Sequence, residues 1–300
     1  MRGATRFFIA AGVAFLMAAA LSNSRSAYAD DASGSAVRIL SIGGDITEIL
    51  YDLGQQDRIV AVDTTSLYPA SALKDKTSVG YMRALSAEGS LSVNPTLIIA
   101  SDGAGPAEVV NALKSSGVRY VEIADKPSAK GVRDKIRHIG SIVGAEDAAK
   151  TLAAKVEAEF AALEKDRTKI PAGKKVLFVL AIQNGRATVA GEGTSADSIL
   201  QLAGAKNAAK GVHGYKPVSD EQLAEFAPEA IVMMRREGSD HDAGAALTLP
   251  GLSQSPAAKT QTLISMDGLY LLGFGPRAPS AARDLMNAIY AEGGHSAAIP

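Results

Sequence analysis

Two stretches of this 300-residue chain carry the same pattern, and that repetition limits the available architectures more than any other feature. Residues 80–99 read GYMRALSAEGSLSVNPTLII and residues 214–232 read GYKPVSDEQLAEFAPEAIV. In each, a Gly-Tyr pair precedes Ser-x-Glu, a proline stands nine residues after the serine, and an isoleucine stands twelve after it. The matched residues are Ser86, Glu88, Pro95 and Ile98 in the first copy and Ser219, Glu221, Pro228 and Ile231 in the second. Physically this is a short helix capped by a serine hydroxyl, a proline that closes it, and a buried strand. A unit that occurs twice predicts two lobes of similar construction.

The surrounding sequence fits that plan. VRILSIG (37–43), RIVAVD (58–63), TLIIAS (96–101), RYVEIA (119–124), KVLFVLA (175–181) and EAIVMM (229–234) are short apolar runs with strand character. Between them, DITEILYDLG (45–54) and AEVVNALKSSG (107–117) have helical spacing and glycine stops. Buried strands alternating with helices predict α/β units with mostly parallel sheets. One segment differs: AEDAAKTLAAKVEAEFAALEKDRTK, residues 145–169, contains neither glycine nor proline. Leu152, Val156, Phe160 and Leu163 recur along it at helical spacing. At about 1.5 Å per residue, one helix there extends over roughly 30 Å, enough to join two domains. The expected fold is therefore α/β, with two similar Rossmann-like lobes (37–143 and 174–291) joined by a long backbone helix. The ligand cleft is expected between the lobes.

Composition removes several classes of function. A net charge of -1 with both signs interspersed provides no basic stripe for nucleic acid. The absence of cysteine excludes disulfides, thiolate metal sites and cysteine nucleophiles. No GxSxG, HExxH or GxxxxGK[ST] motif is present, so the common hydrolase and nucleotide-hydrolysis anchors are missing. GEGTSA (191–196) resembles a GxGxxA turn but is better explained as a turn at a helix start. His138, His213, His241 and His295 do not form an HxxxH spacing. At the N-terminus, Arg2 and Arg6 precede the apolar run FFIAAGVAFLMAAAL (7–21), and AYA (27–29) stands before Asp30. That is the pattern of a signal peptide, residues 1–29, cleaved after Ala29. A membrane anchor fits less well, because the apolar core is short for a span and a small-residue cleavage site follows it.

Within the first repeat, Tyr81 and Arg83 are two positions apart beside Gly80, an arrangement that lets both face one cleft while Met82 turns away. In the second lobe, Arg235 and Arg236 close the predicted strand 229–234, at the strand end where α/β sheets place ligand-contacting groups.

Six motifs carry a resemblance to a known family. SIGGDITEILYDLG (41–54), VDTTSLYP (62–69), VGYMRALSAEG (79–89), AGEGTSADSILQLAGAKN (190–207), GYKPVSDEQL (214–223) and MDGLYLLGFGPRAP (266–279) cover nearly the whole mature chain in order. They are similar to the periplasmic haem-binding proteins of bacterial haem importers. These belong to the helical-backbone class of substrate-binding proteins serving ABC importers. The resemblance implies a monomeric periplasmic carrier, not an enzyme, that takes haem from an outer-membrane receptor route and hands it to an inner-membrane ABC permease.

It also implies roles for individual residues. Tyr81, in the GYxR motif, corresponds to the tyrosine that gives its phenolate to haem iron. Ferric iron favours an anionic oxygen, and tyrosine is an established axial haem ligand. Phenol ordinarily titrates near pH 10, about three units above neutrality, so iron and a nearby cation must favour its ionised form. Arg83 is the cation expected there, on the phenolate or on a propionate. Arg236 is favoured over Arg235 as the cation of the second lobe. Tyr68 is expected in the pocket wall and is the rival ligand to Tyr81. Tyr215 is expected on the facing wall. Ile182 and Gln183 stand where some relatives place a second axial histidine, implying five-coordinate iron or a sixth ligand from elsewhere. Glu48 and Asp197 are the expected acidic docking residues, one per lobe. The alternatives are a ferric-siderophore or cobalamin carrier and, more remotely, a secreted haem-modifying enzyme.

Overall fold

The computed structural model describes residues 37–170, 172–235, 242–291 and 297–299. The expected signal peptide, Arg236, His241 and His295 lie outside the described residues.

The first lobe is built on β1 (Ile39–Ile42), β2 (Ile59–Val62), β3 (Thr77–Ser78), β4 (Leu97–Ser101) and β5 (Arg119–Ile123). These pair in the order β3-β2-β1-β4-β5, every pair parallel. All four residues of β1 are buried, as expected of a central parallel strand covered on both faces. The connecting helices are α1 (Gly44–Asp52), α2 (Ser71–Asp75), α3 (Ala87–Ser92) and α4 (Ala107–Lys114). α5 (Ala129–Val143) and α6 (Glu146–Arg167) follow.

The second lobe contains β6 (Lys175–Gln183), β7 (Arg186–Ala190), β8 (Lys206–Asn207), β9 (Tyr215–Pro217), β10 (Ala230–Arg235), β11 (Leu263–Asp267) and β12 (Ala297–Ile299). Its helices are α7 (Ser195–Leu202), α8 (Asp220–Phe226), α9 (Asp242–Thr248), α10 (Pro256–Thr260), α11 (Gly268–Leu272) and α12 (Ala278–Tyr290). The sheet runs β12-β11-β10-β6-β7-β9, with β8 also on β6. β12, β11, β10 and β6 are parallel, whereas β7 runs antiparallel to both β6 and β9. The mixed edge starts at Asn184 and Gly185, whose φ values of 51° and 74° make the two-residue hairpin that Asn-Gly favours.

The repeat folds alike in both lobes. Ser86 caps α3 by accepting the Gly89 N–H, and Ser219 caps α8 in a reciprocal capping box with Gln222. Pro95 and Pro228 lie between each helix and the following buried strand, β4 or β10.

The long helix α6 is part of the core as well as a connector. Its buried stripe is Ala149, Ala153, Val156, Phe160 and Leu163, while Leu152, expected on that stripe, is half-buried. The stripe belongs to one apolar cluster that includes Ile46 and Ile99 of the first lobe and Phe178, Ile199 and Leu285 of the second. Helices α5 and α6 approach closely at Gly140, where a Cβ would lie 2.2 Å from that of Ala149.

Candidate functional site

Because every pair in the first sheet is parallel, the loops after β1, β2, β3, β4 and β5 leave from one edge. Two of them carry the aromatic residues singled out in the sequence. The loop after β3 holds Tyr81 and Arg83 side by side, Arg83 Nη1 donating to the Tyr81 hydroxyl at 3.4 Å. Tyr81 and Arg83 are both exposed, and Met82 turns inward onto the apolar face of the first sheet. The loop after β2, which ends in Tyr68, packs beside it: Thr64 N–H donates to Gly80 O at 2.9 Å.

Tyr215, expected on the facing wall, is the first residue of β9 in the second lobe. Its hydroxyl lies against the Ala196 N–H and Thr194 at the start of α7, while the residue as a whole is 40% exposed. Burial of the hydroxyl end raises its pKa. The Ala196 N–H, Thr194 and Arg83 oppose that rise, and Asp125 adds to it. Arg83 and Asp125 belong to the first lobe, and Tyr215 to the second. Arg235 is the last residue of β10 and is half-buried.

The two acidic residues expected on the surface are buried instead. Glu48 is 2% exposed and meets Arg277 of the second lobe. Arg277 Nη2 donates to Oε2 at 2.9 Å and its backbone N–H to Oε1 at 3.2 Å. Burial raises the Glu48 pKa even so, opposed by Arg277. Asp197, 8% exposed, accepts from Gln201 at 3.0 Å and from Asn207 at 3.1 Å. Its place in the first turn of α7 makes it an internal brace. Neither carboxylate is presented to a partner, which corrects the expected docking surface. The exposed acidic residues that the repeat places equivalently on both lobes are Glu88 and Glu221, each in the first turn of its short helix.

Arg277 is the main residue that sequence reasoning missed. Its guanidinium carbon lies 3.6 Å from the centroid of Tyr68 and 5.1 Å from that of Tyr270. Tyr270 in turn donates to Asp284 at 2.8 Å. The motif MDGLYLLGFGPRAP contains both Tyr270 and Arg277, but nothing local in it points to Glu48 or Tyr68. The second omission is Lys135 on α5. Its ammonium is buried and paired with Asp45 of α1 and, at 3.0 Å, with Asp125. Burial alone would lower the Lys135 pKa, and the two carboxylates reverse that, leaving it raised.

Comparisons with known proteins agree on the family and the fold. The sequence profile of the family described as periplasmic binding protein matches residues 39–269. Among solved structures, the periplasmic heme-binding protein RhuT from Roseiflexus sp. RS-1, in apo form, is 37% identical, with a TM-score of 0.81. The match covers 85% of this chain and 98% of that one. The periplasmic heme-binding protein BhuT, in complex with two hemes, is 36% identical with a TM-score of 0.79, covering 84% of this chain and 97% of the other. By sequence, a vitamin B12-binding protein of Vibrio campbellii is 28% identical over 210 residues, 70% of this chain and 74% of its own.

Proposed function

We propose, for a chain that belongs to the periplasmic binding protein family and so is the substrate-binding component of an ABC importer rather than an enzyme, that its cargo is haem. The observation that carries this reading is the Tyr81–Arg83 pair. It is an exposed phenol with a guanidinium nitrogen 3.4 Å from its oxygen, in the loop after β3. An anionic oxygen is the donor that ferric iron selects, and tyrosine is an established haem ligand. In this reading Tyr81 supplies the phenolate to the iron. Arg83 holds negative charge there or pairs with a propionate, and Tyr215 lines the opposite face. RhuT and BhuT, each more than a third identical to this chain, are heme-binding proteins.

A cobalamin carrier is the second reading, favoured by the Vibrio campbellii relative. The two separate on one measurement: purified protein titrated with ferric haem and, independently, with cyanocobalamin. A one-to-one haem complex with a high-spin tyrosinate spectrum, lost in Tyr81→Ala, is expected. Binding of cyanocobalamin with no haem complex would replace the reading.

Release to the inner-membrane permease needs contacts on both lobes. Glu88 and Glu221 take that role here in place of Glu48 and Asp197, since they are exposed and related by the repeat. The export signal at 1–29 and an outer-membrane haem route belong to the same proposal and place the protein in the periplasm as a monomer.

A further inference from the structure

Large apolar side chains are seldom exposed here: among the described residues they are Val37, Leu67, Tyr68, Tyr81 and Tyr215. Leu67 and Tyr68 adjoin in the loop after β2, and Tyr68 reaches Arg277 of the second lobe. An exposed apolar pair at a lobe junction is the kind of surface that ligands cover.

That loop is held from below by groups that leave little freedom. Asp63 accepts the Gly43 N–H through Oδ1 at 2.8 Å and the Thr65 N–H through Oδ2 at 2.9 Å. Ser66 meets Thr47 at 2.8 Å, and Thr47 meets Ser41 at 2.7 Å, a chain of buried hydroxyls tying the loop to α1 and β1. At Gly44 a Cβ would fall 2.1 Å from Thr65 O, so the loop sits directly on the backbone of α1. Tyr68 follows with one ring face against the Arg277 guanidinium, 3.6 Å away. Glu48 fixes that guanidinium in turn. With one ring face covered by Arg277, the 43% exposure of Tyr68 lies on its other face and edges.

We infer that Tyr68 is a stacking surface for the porphyrin plane, with Arg277 as the residue that positions it. This rests on the haem reading above. A planar ring backed by a planar cation presents its free face to another flat π-system, and the cation draws electron density away from that face. Tyr68 belongs to the same lobe as Tyr81. In this assignment its ring would meet the macrocycle from the side of that lobe, since the loops carrying the two tyrosines are joined by the Thr64–Gly80 hydrogen bond. Leu67, 46% exposed, extends the apolar contact toward the macrocycle edge. Iron ligation and stacking are thus assigned to different tyrosines, and a ligand without iron still meets Tyr68.

The test uses two probes, ferric haem and iron-free protoporphyrin IX, with binding followed by fluorescence quenching and visible absorption on variants shown to be folded by thermal unfolding. Tyr68→Ala is expected to weaken both probes by the same factor, about tenfold for one aromatic stacking contact. Tyr68→Phe, which keeps the ring, recovers most of the loss. Tyr81→Ala instead weakens haem far more than iron-free porphyrin. Arg277→Met lowers porphyrin affinity in the wild-type background and adds nothing to Tyr68→Ala, because it acts through that ring. Unchanged porphyrin affinity in Tyr68→Ala, with haem still lost in Tyr81→Ala, overturns the stacking role and leaves the haem reading standing. Failure of the wild-type protein to bind either probe overturns both. An equal effect of Arg277→Met in the Tyr68→Ala background removes Arg277 from the assignment.

Discussion

At the scale of single residues, the decisive feature is a carboxylate placed where water is absent. Glu48 is buried, and burial raises its pKa above the ordinary 4.5 despite Arg277. For a group with a raised folded-state pKa, the stabilising contribution is complete below the unfolded value and is lost as pH rises through the folded one. Arg277→Met removes the charge that opposes this rise, so the folded pKa climbs further and the ionised form costs more. The variant should lose about 3 kcal/mol near pH 8, the usual cost of leaving one member of a buried pair alone. Below about pH 4.5, where Glu48 is protonated in both proteins, the difference should shrink to the lost contacts. Urea unfolding of both proteins at the two pH values measures it, and a difference independent of pH would mean that Glu48 is not the coupled group. The same pair explains how much of the site was legible. Tyr81 and Arg83 are neighbours in sequence, so local geometry and motif resemblance suffice to bring them together. Glu48 and Arg277 are 229 positions apart, and only the folded chain shows that an acidic residue within α1 is sealed between lobes.

At the scale of elements, long apolar strands and capped helices announce themselves because burial imposes their composition. The edges do not. β3 and β8 have two residues each and β9 has three, with no fully buried position among them, so backbone pairing makes them strands without an apolar signature. Asn184-Gly185 does carry the signal for an antiparallel hairpin, and it is why the second sheet is mixed. The stripe of α6 was only partly legible because two of its five buried positions are alanines, chosen for close approach and not for bulk. Gly140 and Ala149 make that approach testable. In the interior of a helix, glycine to alanine normally stabilises by about 0.5–1 kcal/mol. At Gly140 the added methyl meets Ala149 at 2.2 Å, an overlap the backbones must relieve. Gly140→Ala should therefore destabilise by about 1–3 kcal/mol. Ala149→Gly in the same chain should recover part of that loss in thermal unfolding, since it removes the methyl in conflict. A stabilised single variant would show that the two helices have room to separate.

At the scale of the whole molecule, one apolar cluster runs from the first sheet through α5 and α6 into the second lobe, and the Glu48–Arg277 pair closes the junction at another point. The two lobes therefore present their outer residues in a fixed relation, which lets a permease read both at once. The pair proposed for docking is matched by the repeat: Glu88 and Glu221, each at the start of a serine-capped helix, each exposed. The Ser219 hydroxyl and the local backbone N–H keep the Glu221 pKa below its ordinary value, so its charge is present throughout the physiological range. Exposed charges contribute more to encounter and orientation than to stability, so reversing them should leave the fold and the affinity for the proposed haem ligand intact. Glu88→Lys or Glu221→Lys alone is expected to slow uptake in a transport assay with the cognate importer, and the two together to abolish it. The single-variant defects should deepen as ionic strength falls, because screening otherwise masks the reversed charge. Glu48→Arg cannot serve the same purpose, since it would set a buried cation against Arg277 and remove that cross-lobe contact. Normal transport by the doubly reversed protein, with its haem spectrum unchanged, would move the docking surface elsewhere on the lobes.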